Sequence, residues 1–193
     1  MIYLNLLHQK VIKIFQILIV ILIILHINKN KGRCITFWYS MNSGAESYLD
    51  FTIHDISSDI KYKLWQLENK DFVYDLSSEW HYGSLSFYME NTYTILISGK
   101  TIEEKSRIAI DDIFFRESEY CSFNPLLAKT NTSLQPPSIK TTTKQPMTTL
   151  KPQIYDCDFE SVCNWENSTS KLKWLIQKGN SNKNSYLPNI DHT

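Results

Sequence analysis

Between residues 34 and 121 the chain alternates short apolar and aromatic runs with polar turns. CITFWYSM (34–41), SYLDFTI (47–53), YKLWQL (62–67), GSLSFYM (83–89), YTILIS (93–98) and RIAIDDIFF (107–115) each span six to nine residues, which is strand length. In the second run Leu49, Phe51 and Ile53 fall on one face while Tyr48, Asp50 and Thr52 fall on the other, the alternation of a half-buried strand. No stretch in this region holds a 3.6-residue period over three turns. The pattern predicts an all-β unit of about six strands in antiparallel sheets packed face to face.

The flanks read differently. Val11 to Ile27 is apolar except for Lys13, Gln16 and His26, with Lys10 before it and Lys29, Lys31 and Arg33 after. This predicts one hydrophobic helix, core 11–27, within an N-terminal segment 1–33. The readings of it are a signal anchor or transmembrane helix, an uncleaved signal, or sequence foreign to the mature protein. Residues 131–153 hold four prolines, eight Ser or Thr residues and no aromatic, so 122–155 is expected to be an extended Thr/Pro-rich linker of stalk-like composition. Beyond it, 156–193 is aromatic again, with Cys157 and Cys163 six apart. Thirty-seven residues from Cys157 onward are too few to bury a core unaided, so this stretch reads as the front of a domain.

Charge and chemistry narrow the function. Twenty Lys plus Arg balance twenty Asp plus Glu, and the basic residues are scattered, which gives no electrostatic footprint for nucleic acid. The histidines, His8, His26, His54, His81 and His192, form no zinc-type spacing, and no phosphate loop, dinucleotide fingerprint or nucleophile elbow is present. No catalytic constellation emerges. Four cysteines near the borders of patterned regions read as disulfides in an exported chain and as plain thiols in a cytosolic one. Asn131 in NTS and Asn167 in NST are glycosylation acceptor sequons.

The runs CITFWYSM, YLDFTI, LWQL, EW, YTILISGK and RIAIDDIFFRESEYC (107–121) resemble, in order, the later part of a MAM domain. That family comprises extracellular jelly-roll-like β-sandwich modules of meprins, receptor-type tyrosine phosphatases of the mu class, neuropilins and zonadhesin. DCDFESVCNW (156–165), with Trp174 following, resembles the opening of a second one. The resemblance implies partial domains: the C-terminal part of one over 34–121 and the N-terminal part of another over 156–193. It implies the pairings Cys34–Cys121 and Cys157–Cys163. The first domain's own opening has no counterpart ahead of Cys34, so the chain is expected to be a fragment of a longer multi-domain ectodomain.

The adjacent pair Asp111 and Asp112 needs an account of its own. Neighbours on a strand point to opposite faces, so the two carboxylates do not converge as an acid/base pair unless a bulge intervenes. One reading has them accept backbone N–H bonds where the strand bends. The other, which the resemblance implies, is a weak calcium site completed by acidic residues of the opening motif, here Asp158 and Glu160 of the other domain; otherwise no cofactor is expected. The function implied is non-enzymatic: an extracellular adhesion or interaction module of a single-pass membrane protein, with extracellular proteins as partners and homophilic binding left open. The alternatives are an accessory ectodomain portion of a larger membrane protease or receptor, and a secreted structural spacer.

Overall fold

Each of the six runs becomes a strand. The computed structural model describes residues 2–4, 19–25, 31–42, 47–68, 79–101, 107–117, 120–130, 156–160, 163, 166–167 and 174–176. Its strands are β1 (Ile2–Leu4), β2 (Ile19–Leu25), β3 (Lys31–Asn42), β4 (Tyr48–Asp55), β5 (Ile60–Glu68), β6 (His81–Met89), β7 (Tyr93–Lys100), β8 (Arg107–Glu117), β9 (Glu166–Asn167) and β10 (Trp174–Ile176). They make two five-stranded sheets, ordered β10-β1-β8-β3-β6 and β5-β4-β7-β2-β9, and every pairing is antiparallel. Among the described residues the fold is an all-β sandwich.

The core lies where the alternation of each strand turns inward. Ile35, Phe37, Tyr39 and Met41 of β3 meet Leu49, Phe51 and Ile53 of β4, with Leu85, Phe87, Ile95 and Ile97 filling in from β6 and β7. At its centre Phe37 stacks on Phe51 at 4.3 Å between ring centroids, and Trp65 meets Phe37 edge-on at 5.1 Å. Such edge and offset contacts suit the ring quadrupoles. Packing here leaves no room for a side chain at Gly83, opposite Phe37, since an added Cβ would lie 2.4 Å from the Phe37 ring.

The N-terminal apolar run departs from its expected helix. Ile19–Leu25 is strand β2, paired with β7 from Ile19↔Gly99 to Leu25↔Tyr93; residues 11–18 and 26–27 lie outside the described residues. A run that is apolar on every side does not by itself distinguish a buried helix from a buried strand. Five of these seven residues are β-branched, which favours the pleated sheet, and pairing satisfies the backbone groups of β7 on the side away from β4. Among the described residues no helix is long and apolar enough to cross a membrane.

The sandwich takes in residues on both sides of two expected boundaries. The border between 33 and 34 falls inside β3, and residues 122–130 of the expected linker bind the sandwich. Asn124 exchanges two backbone hydrogen bonds with Ser84 of β6, and Lys129 exchanges two with Gln66 of β5. The indole of Trp65 donates to the Asn124 carbonyl at 3.0 Å. This strap runs from an edge strand of one sheet to an edge strand of the other.

Candidate functional site

Opposite β3, strand β8 carries one residue too many. Trp38 pairs with Asp111 and Thr36 with Phe114, so two steps on β3 face three on β8. The surplus is a β-bulge at the aspartate pair. Core contacts change phase across it, from Ile108 and Ile110 before to Ile113 and Phe115 after. Asp112 adopts φ 47°, in the left-handed region that Asp tolerates better than most residues. Its N–H donates to Asp111 Oδ1 at 3.0 Å. Asp111 is fully buried and Asp112 nearly so. The carboxylate accepts a backbone N–H where the strand bends.

Beyond the bulge, the outer edge of β8 receives the segment that begins at Asp156. Cys157 and Ile113 exchange backbone hydrogen bonds of 2.9 Å in each direction. The Asp156 carboxylate, 5% exposed, accepts the Phe115 N–H at 2.7 Å and two bonds from Arg116 Nη1 at 2.9 and 3.1 Å. Arg116 also lies over the Phe114 ring at 5.1 Å, a cation–π contact. Charge-assisted bonds of this length are among the stronger ones a protein makes. Asp158 accepts the Glu160 N–H at 3.0 Å, closing the turn in which Phe159 takes φ 58°. Cys157, Phe159 and Trp174 belong to the hydrophobic core. Farther along, β9 pairs with β2 and β10 pairs with β1. The described residues of the stretch read as the front of a second domain thus pair with strands of these two sheets.

Cys34 is bonded to Cys121 and Cys157 to Cys163, the pairings the resemblance implies. The acidic residues expected around calcium are divided between the bulge (Asp111, Asp112) and the docked turn (Asp158, Glu160). Among the described residues no group of three or more His, Cys, Asp or Glu side chains stands close enough to hold a metal ion. Asn167 lies in β9; Asn131 falls outside the described residues. Arg116 and Asp156 were not singled out by the sequence reading, because nothing in the pattern signals their meeting across 40 residues.

Two ionisable groups are perturbed inside the sandwich. Burial is the main force on Asp50, pushing its carboxyl up to about 6, against which Lys63 and hydrogen bonds from Thr52 and Ser98 pull it back. Burial lowers His81, opposed by Glu79, and its ring lies 5.7 Å from Tyr39. On the surface, Tyr82 is 42% exposed, Leu126 88% and Leu127 57%, and Tyr82 meets Trp38 edge-on at 5.5 Å. Asn124 of the strap donates to the Tyr82 carbonyl, which brings the strap beside this aromatic pair.

A family model described as "MAM domain, meprin/A5/mu" matches residues 3–122. The match covers 120 of the 193 residues. It takes in the N-terminal apolar run and ends one residue after Cys121.

Proposed function

The chain belongs to the MAM domain family, and from that premise we propose that it holds other extracellular proteins through the surfaces of its sandwich. MAM domains are extracellular, non-enzymatic β-sandwich modules of adhesion and protein interaction. The observation that carries the reading is the family match over 3–122. The two disulfides support it, since such bonds persist in oxidising compartments. Tyr82 with Trp38, and the exposed Leu126 and Leu127 of the strap, supply aromatic and aliphatic side chains of the kind on which protein interfaces concentrate their binding energy. A membrane anchor over 11–27 forms no part of the reading, because Ile19–Leu25 is engaged in a sheet.

The test uses beads coated with the oxidised chain and presented to a panel of purified cell-surface ectodomains. Capture of at least one ectodomain, weakened tenfold or more by Tyr82→Ser with Leu126→Ser, is the expected result. A correctly folded chain that captures none, or whose capture ignores both substitutions, defeats the assignment of this surface.

A further inference from the structure

Past the bulge, the outer edge of β8 is filled by a segment that lies beyond a long connection. Twenty-five residues, 131–155, separate the strap from Asp156, and most of them are Thr, Ser, Pro and other polar residues with no aromatic before Tyr155. Among the described residues the docked segment meets the body through a backbone bridge at Cys157, the Asp156 carboxylate on Arg116 and the Phe115 N–H, the buried rings of Phe159 and Trp174, and the strand pairings β9–β2 and β10–β1. Its own disulfide closes within it, between Cys157 and Cys163, and the other closes within the body it docks on, between Cys34 and Cys121. No covalent bond other than the main chain ties segment to body. We infer that the β8 edge from Ile113 to Arg116 is an exchange site, and that two copies of this chain assemble by trading the segments that begin at Asp156.

Every contact made within one chain is available between two, because the donor and acceptor residues are identical in each copy. What decides between them is concentration. A connection of 25 residues gives an effective concentration on the order of 1 mM or below. Dilute chains therefore hold their own segment, and chains crowded on a surface exchange. This deepens the interaction reading by naming a second copy as the partner, and it rests on that reading only in requiring the oxidised extracellular form.

The ion pair allows a direct test with the full chain. Arg116→Glu alone leaves two carboxylates facing each other at the docking site; Asp156→Arg alone leaves two guanidinium groups there. Either variant repels its own segment. In a mixture, an exchanged heterodimer has opposite charges at both docking sites. Native mass spectrometry and light scattering are expected to show each variant as a monomer alone, a one-to-one heterodimer on mixing, and a monomer again for the double variant R116E/D156R, whose charges match within one chain. A mixture that stays monomeric while both variants remain folded overturns the inference. Should either variant fold poorly, light and heavy isotope-labelled wild-type chains concentrated together to about 1 mM and then diluted provide the second measurement. Mixed-label dimers support exchange, and single-label monomers alone refute it. Capture of a different ectodomain in the bead assay, with no mixed dimer, removes exchange and leaves the interaction module standing.

Discussion

Replacing Asp50 by Asn should make this protein more stable at neutral pH. Asp50 sits on β4 between Gln66 of β5 and Ser98 of β7, 7% exposed, on the face opposite Leu49, Phe51 and Ile53. Its carboxyl titrates at 3.8 in the unfolded chain and at about 6 in the fold, with burial as the leading cause. The folded state therefore keeps the proton longer than the unfolded one. Below pH 3.8 both states are protonated and the site costs nothing. As pH rises from there through about 6, folding demands an ionised carboxyl in a poorly hydrated place, and stability is lost. At ~1.36 kcal/mol per pKa unit, the full loss is about 3 kcal/mol by about pH 7.5. His81 opposes this over part of the same range, because a buried histidine held neutral gains stability as pH rises. The comparison of Asp50→Asn with wild type isolates the aspartate. Urea unfolding followed by tryptophan fluorescence at about pH 4, 6 and 7.5 should show the variant's advantage growing with pH toward about 3 kcal/mol. Parallel pH profiles for the two proteins would refute the reasoning.

Two further outcomes follow from the core. Gly83→Ala, whose new methyl would press on the Phe37 ring, should lower stability by about 1–3 kcal/mol, the usual cost of overpacking, and a urea midpoint unchanged from wild type would count against the packing described. Replacing Cys34 and Cys121 together by Ser opens a loop with a sequence separation of 87; chain entropy puts the loss at about 4–5 kcal/mol, read as a drop in melting temperature that reductant does not deepen further at this bond.

The six central strands were legible because each carries its own alternation and each is bounded by polar turns. The bulge was half legible. The run from Ile108 to Phe115 has core residues at 108 and 110, then at 113 and 115, and that change of phase is written in the sequence. A strict two-residue count hides it, because Asp112 occupies the place where the next core residue would stand. The N-terminal run misled for a different reason. Uniform apolarity carries no period, so the partner, β7, decides the conformation rather than the local sequence. Least legible was the return of Asp156 and Trp174 to the same sandwich. A resemblance to a domain opening says what kind of edge a segment fits, and it leaves open which body offers that edge. The meeting of Asp156 with Arg116 and of Cys157 with Ile113 is written in neither stretch alone.

The strap from Cys121 to Thr130 also sets how the protein bears tension. Force drawn through the chain beyond Thr130 reaches Lys129 first, where two backbone hydrogen bonds to Gln66 hold it. When that bridge yields, the load passes to the pair between Asn124 and Ser84. Peeling ends at Cys121, whose disulfide hands the force to Cys34 in β3 and bypasses β8. The nine residues released on the way extend by about 30 Å at ~3.3–3.6 Å each. With the docked segment released from β8, the strap thus gives a short elastic slack followed by a covalent stop at Cys121.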